Sequence, residues 1–162
     1  MTRFLVVVAA IAAWVAPPLL LGGDVALLMY LSTTGLTLQR IAMALFIPAI
    51  CGAAALSRDR ARWQVAAGAA LGAIGALGIA LAPEALLRPT RPPAVLFALG
   101  LLVLSAAMIG SAVPRRIAAL IGAGALLFPL AHASGVPAAL ISGDAIFVAA
   151  FWMLAPLVVR RT

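Results

Sequence analysis

Residues 63–83 read WQVAAGAALGAIGALGIALAP, a stretch without a single charged side chain. A run of that length and polarity crosses the ~30 Å hydrocarbon core of a bilayer as one helix. Lipid offers backbone N–H and C=O groups no water, so a helix, which satisfies them within the segment, is the default for such a run. A barrel strand would alternate polar and apolar residues, and this stretch is apolar on every face. The same reading extends in both directions along the chain. Uncharged runs also occupy 4–23, 41–57, 92–114 and 117–143. Their ends carry Pro, Gly and charge, as in APPLLLGGD, LAPEALLRPTRPP and SAVPRR. The expectation is an all-α polytopic membrane helix bundle, one integral membrane domain over 1–162, with six spans near 4–21, 41–56, 63–82, 94–113, 117–134 and 138–159.

Composition agrees with a membrane-spanning chain. Hydrophobic residues make up 66% of the chain and charged residues only 9%, against about 25% charged in soluble domains. A net charge of +7 in a soluble protein would suggest nucleic acid. Here the arginines stand at the ends of apolar runs, where they anchor spans at the headgroups, so no nucleic-acid partner is expected. All eleven basic residues are arginine. With the heavy use of Ala, Gly and Pro, this reads as GC-rich coding and a bacterial inner (cytoplasmic) membrane. The N-terminal MTRFLVVVAAIAAWVAPP resembles a signal peptide. Its apolar run continues to Leu21, however, and a cut after Ala16 would face Pro17, so an uncleaved first span is expected. Cys51 is the single cysteine, which excludes an intramolecular disulfide or a CxxC motif; it reads as an inert buried thiol.

Arginine also orients the bundle. With the N-terminus in the cytoplasm, six spans put Arg3, Arg58, Arg60, Arg62, Arg115, Arg116, Arg160 and Arg161 inside and only Arg40, Arg88 and Arg91 outside, as the positive-inside rule requires. Both termini are then cytoplasmic. The cluster SRDRARW at 57–63 is topogenic, and with Arg115 and Arg116 it would bind anionic lipid headgroups.

Segment 24–40, DVALLMYLSTTGLTLQR, is the exception among these runs. Its uncharged portion would reach only ~22 Å at 1.5 Å per residue, so it reads as an outer-surface helix, with a re-entrant piece or an extension of the second span as alternatives. Lining a polar mouth with its hydroxyls, Thr33 and Thr34 among them, is the less favoured use. Asp24 at its start and Asp144 in LISGDAIFV are the two acids set in apolar sequence. Asp144 lies a few residues inside the sixth span if that helix begins just after Pro137, and caps it if the helix begins at Asp144. Gly-Asp ahead of an apolar run suits an N-cap, which makes helix ends the simplest account of both. The alternative is a carboxyl pair that shares a proton. Intramembrane aspartyl proteases commonly carry GxGD, and the windows here, LGGD and ISGD, lack the first glycine; no catalytic residue is assigned. His132 is the one histidine, so two-histidine haem and multi-histidine metal sites within the chain are excluded, and no metal or cofactor is expected. It reads as an outer-interface residue bonded to a carbonyl freed by Pro129.

In the third span Gly68, Gly72, Ala76 and Ala80 recur every four residues, a small-residue face for close helix approach. Ala94, Ala98, Ala106 and Gly110 partly match it in the fourth. Packing within the bundle is the expected use, and docking of another membrane subunit or a second copy the alternative. No ionisable group stands near mid-membrane, which argues against a proton pump or antiporter and leaves Asp144 as the one candidate for a partly buried carboxylate. The expected function is a non-catalytic accessory, assembly or lipid-interacting protein. A small transport component for a neutral or lipophilic solute comes next, with Asp24, Asp144, His132, Thr33 and Thr34 around an outer vestibule. A membrane-embedded enzyme is third.

Overall fold

A computed structural model describes residues 3–57, 61–85, 90–111 and 113–160. Among them are six α-helices and no strand: α1 (Arg3–Leu28), α2 (Ser32–Leu56), α3 (Arg62–Leu81), α4 (Pro92–Met108), α5 (Arg115–Ser134) and α6 (Pro137–Arg160), with a short 3-10 turn at Pro83–Ala85. All except α4 are long and apolar enough to cross a membrane. The outer surface carries Ile11, Ile74, Leu77, Leu126 and Leu130, which suits lipid and would be a liability in water. The chain is thus a multi-pass, all-α membrane bundle.

Successive helices pack as neighbours, and α6 returns to touch α1 and α2, closing the ring. The closest approach joins α3 to α4. A Cβ placed on Gly75 would stand 2.2 Å from the Phe97 nitrogen, one on Gly100 2.1 Å from the Gly72 nitrogen, and one on Gly68 2.7 Å from the Leu104 nitrogen. Each step up α3 matches an equal step back along α4, so the two run antiparallel over the whole contact. α4 has 17 residues, the lower end of the spanning range, and this pairing carries it along most of α3.

The small face is therefore used within the bundle, and its register differs from the expected one. Gly68 and Gly72 belong to it, but Gly75 continues it, because a helix repeats every 3.6 residues and a strict spacing of four drifts sideways. Ala76 and Ala80 are buried in the common core. On α4, Phe97 and Gly100 make the close approach, whereas Ala106 and Gly110 are exposed. That helix stops at Met108 rather than near 113: Gly110 takes φ 86°, and the Ser111 hydroxyl donates to the Met108 carbonyl at 2.8 Å while accepting the Val113 N–H.

Three other expectations are corrected. Segment 24–40 is no separate surface helix: α1 continues through Asp24 to Leu28, and α2 begins at Ser32. The turn between them closes with the Leu31 N–H on the Ala26 carbonyl at 2.9 Å, around Tyr30 at φ 63°, a left-handed helix stop. Asp144 does not cap α6, which starts two turns earlier at Pro137. Cys51 is exposed on the outside of α2 rather than buried.

At the centre Phe46, Phe97, Phe128, Phe147 and Phe151 interlock, mostly edge to face, with ring centroids 5.2–6.4 Å apart. Such pairs contribute about 0.5–1.5 kcal/mol each beyond their buried area. On the lipid side α1 is tied to α6. Pro18 has no N–H for the Trp14 carbonyl, and the Trp152 indole N–H donates to it instead at 2.9 Å, with the two indoles 5.2 Å apart.

A candidate buried carboxyl site

Four helices each send one polar side chain to the same end of the bundle: Asp24 from α1, Gln39 from α2, His132 from α5 and Asp144 from α6. Asp24 (3% exposed), Gln39 (0%) and Asp144 (1%) are shut away from the surface. Asp24 lies about 6 Å from the end of its helix, and Gln39 and Asp144 about 10 Å from theirs, at 1.5 Å per residue. The site therefore sits just inside the apolar layer rather than at its centre. Gly23 and Gly35 make it possible. A Cβ on Gly23 would come 2.8 Å from Cγ of Gln39, and one on Gly35 2.6 Å from Cγ of Leu27. With neither present, α1 and α2 close until Gln39 reaches its neighbour's carboxyl.

The Gln39 amide Nε2 donates to Asp24 Oδ1. The other Asp24 oxygen, Oδ2, stands 3.5 Å from His132 Nε2. The Asp144 carboxyl lies near enough to that of Asp24 for the charge on one to act on the other. His132 Nδ1 is 2.9 Å from the Phe128 carbonyl. A carbonyl only accepts, so Nδ1 carries the proton, and in the neutral ring Nε2 is left as an acceptor. The partner is thus the ordinary carbonyl one turn back, not the one that Pro129 frees, which belongs to Ala125.

Counting donors and acceptors defines what the site needs. Five buried side-chain atoms have no hydrogen-bond partner: Asp24 Oδ2, Gln39 Oε1, His132 Nε2 and both oxygens of Asp144. With the Nδ1 proton fixed, every one of them is an acceptor. A buried polar atom without a partner costs ~1–3 kcal/mol, and low-dielectric surroundings raise the penalty. Five acceptors in one place call for a proton or another donor among them. Among the described residues no three His, Cys, Asp or Glu groups are placed to hold a metal ion.

The structure thus brings Asp24, Asp144 and His132 together and leaves the hydroxyls apart. Thr33 and Thr34 are exposed. Thr33 lines a separate surface cleft of about 270 Å³ with Ser32, Leu36, Thr37, Arg40 and Glu84. Gln39 was not among the residues singled out from the sequence; its one signal is an amide inside an apolar helix, where it must find a partner. Beside the site, an apolar groove of about 210 Å³ runs between α5 and α6, and Ala131 and Gly143, the sequence neighbours of His132 and Asp144, line it. At the opposite end Arg62, Arg115, Arg116 and Arg160 are exposed, while Arg58 and Arg60 lie outside the described residues. Compared with protein-family models, with curated proteins and with solved structures, the chain matches none.

Proposed function

We propose that this chain is a small transport component of a bacterial inner membrane, moving a neutral or lipophilic solute, with the Asp24–Asp144 pair as its proton-binding site. The observation that carries the reading is the set of five unpartnered acceptors around two apposed, buried carboxyls. Two neighbouring buried carboxyls resist ionising together, which supports one proton shared between them. Ionisable groups buried in a membrane bundle mark such pathways, because their desolvation is tolerated only for a use. The apolar groove between α5 and α6 supports a lipophilic cargo that meets the site from the bilayer. The small-residue face, the alternative docking surface for a partner subunit, is packed by α4 at Gly68 and Gly75. Both termini are cytoplasmic in this reading, and Arg62, Arg115, Arg116 and Arg160 contact anionic headgroups.

The test is reconstitution into vesicles with a trapped pH dye, an imposed proton gradient and a panel of labelled neutral and lipophilic solutes. Wild-type vesicles should accumulate at least one solute only while the gradient persists, with matching proton movement, and Asp144→Asn should lose both. Vesicles of wild type and Asp144→Asn that behave alike toward protons and every solute would refute the proposal. A membrane-embedded aspartyl hydrolase is the second reading, favoured by the same apposition of carboxyls; it predicts Asp144-dependent cleavage of a membrane peptide with no gradient needed.

A further inference from the structure

The four polar side chains are open to the bundle's two ends very unequally. His132 stands two residues before the end of α5 and is partly exposed as a residue, although its Nε2 is turned inward to Asp24. Its side chain is only 5% exposed, so what favours access from that end is depth: the site lies within about two helical turns of it, at 1.5 Å per residue. In the other direction each of the four helices presents a large apolar side chain about one turn deeper: Leu20 after Asp24, Met43 after Gln39, Phe128 after His132 and Phe147 after Asp144, all 2% exposed or less. Behind them lies the aromatic layer. Phe147 touches Phe46, Phe97, Phe128 and Phe151, so rings from α2, α4, α5 and α6 meet across the bundle. A constriction lined this way excludes water, and without water a proton has no chain of carriers.

We infer that the carboxyl pair exchanges protons with the membrane side that His132 faces, and that the phenylalanine layer bars them from the other side. This rests on the proton-binding reading above and adds its direction of access. His132 stands on the near side of the pair, with Nε2 facing Asp24 Oδ2 and the Nδ1–H held in its hydrogen bond to the Phe128 carbonyl, so it positions and polarises the carboxyl that exchanges the proton. The acidic and basic groups facing the exchange are Asp24, Asp144 and His132; Gln39 contributes a neutral amide. Transport then requires the aromatic layer to part on the inner side after the outer side has closed.

The experiment reads passive proton flux into phosphatidylcholine–phosphatidylglycerol vesicles with a trapped pH dye, driven by a potassium gradient and valinomycin. Wild-type vesicles should be as tight as protein-free ones. Phe147→Ala should open a leak, and adding Asp144→Asn in the same chain should return it to the protein-free level. Phe147→Leu, which keeps an apolar side chain but loses the edge contacts, should leak less, and it carries the test if Phe147→Ala does not assemble. A leak in wild type, or tight vesicles for both Phe147 variants, would overturn the seal. The two readings fail separately. A pair that binds no proton leaves the Phe147→Ala leak untouched by Asp144→Asn, whereas tight Phe147 variants with intact Asp144-dependent uptake defeat the seal alone.

Discussion

Gly75→Ala adds one methyl group at the tightest point between α3 and α4, and its consequence can be worked from the structure. The new Cβ would lie 2.2 Å from the Phe97 nitrogen, 2.6 Å from its Cα and 2.7 Å from the Pro93 carbonyl oxygen. All three are backbone atoms of α4, so none can swing aside. Restoring ordinary contact near ~3.5 Å requires α4 to move off by roughly 1 Å, and a gap of that size forfeits about a quarter to a half of the dispersion attraction of the atoms it separates. Overpacking typically costs ~1–3 kcal/mol, and a clash with rigid backbone belongs at the top of that range. Gly72→Ala is the control on the same helix face. Its Cβ would first meet Cδ1 of Ile50, at 3.3 Å, a flexible tip that needs to give only slightly. Alanine also favours helix by about 1 kcal/mol over glycine, so the net change at 72 should be near zero. A difference of ~2–3 kcal/mol corresponds to melting roughly 5–10 °C lower for a chain of this size. Thermal unfolding followed by circular dichroism in mild detergent measures both. Equal melting of Gly72→Ala and Gly75→Ala would refute the register of the α3–α4 contact.

Gln39→Leu removes the donor to Asp24 Oδ1 and should destabilise the bundle by about 1–3 kcal/mol, read in the same melting assay. Trp152→Phe gives up the bond to the Trp14 carbonyl and should cost about 0.6–1.5 kcal/mol. Adding Pro18→Ala should recover part of it, because an amide N–H then takes that carbonyl; strictly additive melting shifts would contradict this. An export-dependent phosphatase fused at Thr90 should be active and one fused after Thr162 silent, and the reverse pattern would invert the orientation read from arginine.

The helices were legible because their signals are local. Uncharged runs ending in Arg, Pro and Gly locate all six, and the small residues of 68–72 mark the tight face. What the sequence obscured depends on partners far along the chain. Asp24 looks like the end of a span because a charge in lipid is expensive. α1 carries it inward only because Gln39, His132 and Asp144 arrive from three other helices to receive it. Asp144 satisfies the local pattern of an N-cap, yet Pro137 opens the helix earlier and that same carboxyl becomes an interior group. Gln39 gave no periodic signal at all; its role follows from Gly23 and Gly35, which let two backbones approach. Thr33 and Thr34 went the other way: close to Gln39 in sequence, they sit a turn or more nearer the helix start and on the exposed face.

The central claim is that Asp24 and Asp144 hold one proton between them. Infrared difference spectroscopy of the carboxyl C=O stretch during a pH titration in vesicles, with Asp59→Asn and Glu84→Gln together as background, tests it most directly. The account predicts a band that titrates, shifts on deuteration and is altered by Asp24→Asn and by Asp144→Asn alike. Two independent bands, each erased by one substitution and untouched by the other, would contradict it.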